Sequence, residues 1–521
     1  MVECAENGEG VRQARKPVGG KNPVNAGAVL GWLALAALAP GAAHLRAGWR
    51  KTGLALISCY AALLLAVLAV GLTNDLGNLA GSLTDDSWLL AIVIGGIVLG
   101  LAWFALIVHS FVVLRPGRLT QTGQILTGTV AGLLAVIVVL PFALTAQFAQ
   151  TSRQAIQDIF QAPENEGQPP VAEPKPEDPW AGRERVNILL LGGDADDNRT
   201  GVRTDSMNLA SVDVKTGNTV LFSLPRNLED VRFRPGTPMA RHFPNGFDLP
   251  KDANGGSSDL LNSVWEYADA HPEIFGGKQH QGPKVLMDTI GYTLGLKVDW
   301  YALVNMWGFA RLIDAIGGVT ITVEQDVVFG KYNEGLVKAG TRKLKGADAM
   351  WYARSRTYSD DYTRMHRQRC VLGAILDQAA PATVLTRFNQ IALATKELIR
   401  TDIPQTMLKH LVPLALKVKN AEVSSVQFVP PLISTGYPDW EKIRDIADKA
   451  IRDSKRTKAP VAASAAPTSA PTSAPTSGPT SAAGPSVSPS PKKTTKKPAP
   501  EAADDPTKGL TEGCGPATPK S

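Results

Sequence analysis

The 521-residue chain reads as an α/β domain held outside the membrane by an all-α transmembrane region. Three observations predict this. Residues 24–149 contain four long apolar stretches. The run VNILLLGG, from Val186, is continuously apolar and ends in glycines, as a buried central strand does. From there to about residue 454, strand-like and helix-like patterns mix, which suits one α/β domain with a mixed sheet covered on both faces.

The apolar stretches fall at about 24–45, 53–73, 88–114 and 125–148. A crossing helix needs about 20 apolar residues to span a hydrocarbon core of about 30 Å. The last three meet that length. The first is interrupted by Pro40-Gly41 and ends near His44. Arg12, Arg15, Lys16 and Lys21 precede it, and Arg46, Arg50 and Lys51 follow it. Basic flanks face the cytoplasm, so this first segment enters and returns or lies in the interface. The 74–87 loop has Asp75, Asp85 and Asp86 with no Lys or Arg, and reads as outside. Arg115 and Arg118 place the next loop inside. The expectation is three crossings, with everything beyond about 150 extracytoplasmic. Four crossings with an outside N-terminus fit the charges less well. No small-residue cleavage site follows a single short apolar run, so a removable signal peptide is not expected.

The expected division is a basic cytoplasmic N-terminus (1–23), a membrane region (24–149), a Pro-rich linker (150–183), a catalytic domain (184–454) and a tail (455–521). In the domain, MNLASVDV and NTVLFSLP read as strands joined by a turn at 215–218. Helices are expected near 259–270, 284–294, 308–316, 362–379, 383–399 and 404–416. Strands are expected at 298–305, at VTITV and near 424–429. The tail repeats Pro-Thr-Ser and has almost no large apolar residues. It reads either as a wall-threading extension or as a plain disordered end. Cys4, Cys59, Cys370 and Cys514 show no metal-ligand spacing. Cys370 and Cys514 could pair in an oxidising compartment.

Three groups could carry chemistry. After the first strand, GGDADDNRTGVRTDSM offers Asp194, Arg199, Arg203 and Asp205. Ligands collect at the carboxyl ends of strands in α/β sheets, and Asp194 and Asp205 could hold Mg²⁺ through oxygen ligands. A loop that only makes turns is the simpler reading on composition alone. Next, FSLPRNLED places Arg226 just after a strand and a proline, where an ordinary surface charge is equally at home. The third group is YARSRTYSDDYTRMHRQR, with five arginines, one histidine and two adjacent aspartates in eighteen residues. If YARSR ends a strand, Arg354 and Arg356 share a face and can clamp a diphosphate. Asp360 or Asp361 would then cap a helix on which Arg364, Arg367 and Gln368 share a face. The plainer alternative is a solvated basic face.

No GxSxG, HExxH or GxxxxGK[ST] pattern accompanies these groups. The chemistry suggested is metal-assisted, arginine-stabilised transfer at phosphorus. The net charge of +6 is modest. Together with the topology, it argues against a nucleic-acid partner.

Three blocks resemble the LytR-CpsA-Psr family of cell-wall ligases, in that family's order across about 184–400. They are NILLLGGD…RTDSMNLASVDVKTGNTVLFSLPR, TIGYTLGLKVDWYALVNMWGFARLIDAIGGVTITV and LKGADAMWYARSRTYSDDYTRMHRQR. The resemblance implies an extracytoplasmic α/β/α domain on a membrane anchor. It implies transfer of a glycopolymer from a polyprenyl-pyrophosphate carrier to peptidoglycan, forming a phosphodiester with the help of Mg²⁺. The lipid would lie in a hydrophobic pocket. Asp194 and Asp205 match the metal-associated aspartates. Arg203, Arg226, Arg354 and Arg356 match the pyrophosphate-binding arginines, and Asp361, Arg364, Arg367 and Gln368 match the motif that follows. The expected catalytic set is therefore Arg203, Arg226, Arg354, Arg356 and Asp361. Two departures put the fine geometry and metal dependence in doubt: Asn227 stands where the family commonly has Asp, and DADDNR delays an arginine to Arg199. The family's usual anchor is a single helix. The alternatives are a pyrophosphatase acting on polyprenyl-pyrophosphate-linked glycans and a non-catalytic envelope regulator.

Overall fold

The computed structural model describes residues 25–74, 81–82, 84–160, 175, 177–194, 202–250, 258–379, 399–455 and 506–514. These fall into two compact units, Met1–Gln157 and Asp158–Ser521.

In the first unit the apolar stretches are helices. Helix α1 (Ala26–Leu38) is capped by Asn25, whose side chain accepts from the Gly27 N–H at 3.0 Å. At 1.5 Å per residue it is about 20 Å long, short of a hydrocarbon core. The chain breaks at Gly41, where φ is +106° and an added Cβ would stand 2.5 Å from the Gly53 carbonyl oxygen. Helix α2 (Ala42–Arg46) follows, then α3 (Arg50–Thr73), α4 (Asp86–Val113) and α5 (Gln121–Ile159). The last three are long and apolar enough to cross a membrane. Helix α5 passes residue 148 and continues to Ile159, so the expected linker starts later than 150. The added turns bury Ser152, Ala155, Ile156 and Ile159 at helical spacing.

The second unit begins with β1 (Arg185–Asp194), β2 (Arg203–Asp213) and β3 (Thr219–Leu224). The β2–β3 turn falls where expected, with Asp213 Oδ1 accepting from the N–H groups of Lys215 and Thr216. Next come α6 (Pro238–His242), α7 (Val264–Ala270), α8 (Gly282–Leu294), β4 (Trp300–Asn305) and α9 (Met306–Ala315). Strands β5 (Val319–Val323), β6 (Val327–Phe329), β7 (Gly335–Val337) and β8 (Gly340–Leu344) lead to α10 (Gly346–Arg354) and α11 (Asp361–Gln378). The chain closes with β9 (Ile399–Thr401), α12 (Leu408–Lys419), β10 (Val423–Gln427), α13 (Trp440–Ser454) and β11 (Lys508–Gly509).

The main sheet runs β11-β10-β3-β2-β1-β4-β9. The β1–β4 and β3–β10 pairs are parallel and the others antiparallel, so the sheet is mixed. Alternation decides which residues face which layer. Leu189, Leu191, Leu209, Val220 and Phe222 enter a core with Val264, Trp265, Leu286, Ile290, Ile443 and Ala447 of α7, α8 and α13. Their strand neighbours Ile188, Leu190, Ala210 and Val304 point to the other face and stay half-buried. A second core gathers Ile313, Val319, Ile321, Leu344, Tyr352 and Val371 where α9, α10 and α11 meet the β5–β8 pair.

Two expectations need correction. YARSR does not end a strand, because α10 runs through Tyr352 to Arg354 and the chain then turns. Gly346, Ala349 and Met350 give this segment a buried face at helical spacing, which outweighs the local alternation of Tyr352, Arg354 and Arg356. The tail is not uniformly unstructured either. Residues 508–509 add a strand to the sheet edge, and Cys514 is disulfide-bonded to Cys370. The helix expected over 383–399 lies outside the described residues, except Ile399, which opens β9.

Candidate functional site

The site forms at the sheet edge where β1, β3, β4 and β10 end and β2 begins. Its first element is a register shift. Gly192 pairs with Ser206 and Gly193 with Thr204, leaving Asp205 as the extra residue of a bulge. The glycines make the close approach possible. An added Cβ at Gly193 would stand 2.9 Å from Leu303 Cδ1, and one at Gly192 would stand 3.2 Å from Ser206 Cβ.

The second element is Arg226, immediately after β3 and Pro225. The third is the start of α11, where Asp360 caps the helix by accepting from the Thr363 N–H at 2.6 Å. That cap leaves Asp361 in the first turn, directed at the arginines. Arg226 donates through Nη1 to Asp205 Oδ1 at 2.8 Å and through Nε to Asp361 Oδ1 at 3.1 Å. Arg364 donates through Nη2 to the Asp205 carbonyl at 3.0 Å and to Asp361 Oδ2 at 3.2 Å. Arg356 Nη1 lies 3.8 Å from Asp361 Oδ1. Three guanidiniums thus meet two carboxylates, leaving the cluster cationic.

Burial differs across the cluster. The Arg364 side chain is 4% exposed, Asp361 15%, Asp205 37% and Arg356 52%. Burial lowers the Arg364 pKa from its usual value, and the nearby Asp361 carboxylate partly offsets this. Arg364 is therefore the fixed base of the cluster, while Arg356 and Asp205 are its accessible side. Below them, Ser223 Oγ donates to Asn208 Oδ1 at 2.6 Å, and Asn208 Nδ2 donates to Ser206 Oγ at 3.0 Å. With Gln368 and Met365 these residues line a small polar hollow beside Asp205.

Not every expected residue joins the cluster. Arg367 is buried and spent on the chain, donating to the carbonyls of Tyr352 and Ser355 and to Ser359 Oγ. These bonds brace the loop that carries Arg356. Gln368 Nε2 donates to the Ala353 carbonyl at 3.3 Å. Arg203 Nε sits 3.6 Å from Glu266 Oε2. Arg354, at the end of α10, lies over the Trp351 ring at 5.7 Å. Asn227 keeps its Oδ1 buried without a hydrogen-bond partner. Asp194 is opposite Arg203 in the strand register, and its side chain lies outside the described residues. The bracing serines Ser355 and Ser359 and the hollow formed by Ser206, Asn208 and Ser223 were not anticipated; alternation along β2 and β3 was the one signal that could have placed the hollow's residues on a common face.

A cation of the magnesium type takes carboxylate oxygen. Asp205 suits it: the side chain is more than a third exposed, and one oxygen is occupied by Arg226. Among the described residues, one other set could converge on a metal, His366, Cys370 and Cys514. Its two sulfurs are bonded to each other.

Residues 146–437, more than half of the chain, match the LytR_cpsA_psr family. The chain belongs to the LytR_cpsA_psr family. It is similar to the polyisoprenyl-teichoic acid–peptidoglycan teichoic acid transferase TagU of Oceanobacillus iheyensis, 29% identical over 44% of this chain and 62% of that protein. It is also similar to TagU of Bacillus subtilis strain 168, 25% identical over 42% of this chain and 61% of that protein. The matched part thus spans less than two thirds of these relatives. Among LytR_cpsA_psr-like solved structures, that of B. subtilis TagV is 22% identical, with a TM-score of 0.37 over 52% of this chain and 97% of that one.

Proposed function

We propose that this protein is a membrane-anchored phosphotransferase that moves a glycopolymer from a polyprenyl-pyrophosphate carrier onto peptidoglycan, forming a phosphodiester. The observation that carries the reading is the Arg226 bridge between Asp205 and Asp361, flanked by Arg364 and Arg356. Guanidiniums held in place by carboxylates are preorganised for a pyrophosphate and cost little reorganisation as charge develops. The half-buried apolar strip of Ile188, Leu190, Ala210 and Val304 ends beside Gly192 and Ser206, next to the cluster. It offers a path for a lipid chain. The transferase names of the TagU relatives agree with this class of reaction.

In this mechanism a peptidoglycan hydroxyl attacks the phosphorus nearer the glycan. A new P–O bond forms, the P–O bond to the lipid phosphate breaks, and polyprenyl phosphate leaves with its electron pair. Arg226 holds the non-bridging oxygens, backed by the fixed charge of the buried Arg364, and Arg356, on the accessible side, meets the charge that grows on the leaving phosphate. The hydroxyl proton passes to a carboxylate of the site. Mg²⁺, held by Asp205 and Asp194, would add charge neutralisation. The three apolar helices supply the anchor. The basic flanks of the N-terminal stretches and the acidic 74–87 loop favour three crossings and an extracytoplasmic catalytic domain.

The test is incubation of the full-length protein in lipid with a polyprenyl-pyrophosphate-linked glycan, with and without peptidoglycan fragments. Glycan joined to peptidoglycan is the expected product. Free glycan phosphate as the sole product in both reactions would mean a pyrophosphatase. No turnover of any kind would favour a regulator.

A further inference from the structure

The C-terminal hook, residues 506–514, closes onto the helix that carries Asp361 and Arg364 of the cluster. Strand β11 pairs antiparallel with β10 through Ser424–Gly509 and Ser425–Lys508. The Leu510 N–H donates to the Val423 carbonyl at 3.1 Å, and the Leu510 side chain is buried. Further attachments fall on α11. Cys514 is bonded to Cys370. Arg369 Nη2 donates to the Glu512 carbonyl at 2.5 Å and approaches His366 Nδ1 at 3.2 Å. Thr511 packs so closely on Gly373 that an added Cβ would stand 2.6 Å from its Cγ2. His366, Arg369, Cys370 and Gly373 lie on one side of α11, at i,i+3 and i,i+4 spacing. Asp361 and Arg364 stand in the first turn of the same helix, just before His366.

We propose that this hook is a positioning element for the arginine cluster, locked by the Cys370–Cys514 disulfide, which forms by exchange with a disulfide oxidant that takes up the two electrons and two protons and leaves as a dithiol. The inference rests on the reading of the cluster as a pyrophosphate site. The hook ties α11 to β10, and β10 pairs with β3, the strand that leads into Arg226. It therefore spans the two elements whose separation sets the Arg226–Asp361 contact. Without it, Arg369 loses both the Glu512 carbonyl it donates to and the hook residues that cover it. The covalent step balances with any dithiol reductant. One reductant thiolate attacks the Cys370–Cys514 bond, the second resolves the mixed disulfide, and both cysteines leave as thiols with two electrons and two protons from the reductant.

The experiment uses the full-length protein in lipid nanodiscs, oxidised or treated with dithiothreitol, beside Cys514→Ser and Cys370→Ser/Cys514→Ser. Backbone hydrogen exchange is followed over 361–373 and 506–514, and binding of inorganic pyrophosphate is measured by calorimetry. Reduction is expected to speed exchange at least tenfold in both segments and to weaken pyrophosphate binding at least fivefold, with recovery on reoxidation. The serine variants should match the reduced protein and ignore reductant. Faster exchange confined to 506–514, with pyrophosphate binding unchanged, would overturn the proposal. An oxidised protein that never binds pyrophosphate would count against the phosphate reading of the cluster. The exchange at 361–373 would then decide the clasp alone, since an unchanged rate there refutes it.

Discussion

Arg226 and Asp361 are 135 residues apart in sequence and 3.1 Å apart in space. Their contact joins the end of β3 to the first turn of α11, and the same guanidinium reaches Asp205 on the β2 bulge. One side chain therefore sets the geometry of three elements.

Replacing Arg226 by Lys keeps the charge and loses the two-pronged donor. Turnover with a lipid-linked donor should fall about 10- to 100-fold, equivalent to roughly 1.4–2.7 kcal/mol of transition-state stabilisation. The thermal midpoint should move by only a few degrees. An unchanged turnover would remove Arg226 from the mechanism.

Arg367→Ala should act through stability and loop order. The substitution leaves the Tyr352 and Ser355 carbonyls and the Ser359 hydroxyl without their donor. A loss of about 2–3 kcal/mol in urea unfolding is expected. Hydrogen exchange should rise over 355–359. A change below about 0.5 kcal/mol would show that solvent replaces the arginine.

Asp402 provides the pH test. Burial pushes its carboxyl up to about 6, against the backbone hydrogen bond from the Tyr301 N–H that favours the charged form. The folded state thus holds a proton that the unfolded state has released between about pH 4 and 6. The unfolded state binds fewer protons in that window, so this group's contribution to stability falls as pH rises through it. Asp402→Asn keeps an oxygen for Tyr301 and removes the titration. It should raise stability at pH 7.5 by about 1–3 kcal/mol and flatten the profile between pH 4 and 6. Parallel profiles for the two proteins would refute this assignment.

Metal dependence is checked by chelation. Treatment with EDTA should lower transfer, and added Mg²⁺ should restore it. Asp205→Asn should abolish the restoration, because the amide offers a neutral oxygen in place of the carboxylate. Full activity in the presence of chelator would separate Asp205 from any metal role and leave it as the partner of Arg226.

Much of the architecture was readable in the sequence, because each step had a local physical cause. VNILLLGG, the alternation in β2 and β3, and the Asp360 cap before Thr363 all state their structure within a few residues. Asp205 stands in the sequence reading as a metal-associated aspartate beside Asp194, and Arg226, Asp361 and Arg364 stand in its larger group of site residues; the fold brings these four together. Other features were illegible for equally local reasons. Tyr352, Arg354 and Arg356 alternate like a strand, whereas the packing that makes 346–354 helical comes from α9, far off in sequence. Arg367 and Arg364 are the same residue type one helical turn apart, and only the fold shows that Arg367 turns to the carbonyls of Tyr352 and Ser355 while Arg364 turns to Asp205 and Asp361. The hook was hidden by composition, since KGLTEGC is seven residues in a long Pro/Ser/Thr/Ala-rich stretch.

The bond between Cys370 and Cys514 has a consequence for how the protein survives damage. A protease that cuts once anywhere in 456–505 separates the polypeptide into two pieces that remain covalently joined. On a denaturing gel without reductant such a protein should migrate as one species carrying its full mass. Adding reductant should release a C-terminal fragment of fewer than 70 residues. A single nick in that segment therefore leaves the hook attached to α11.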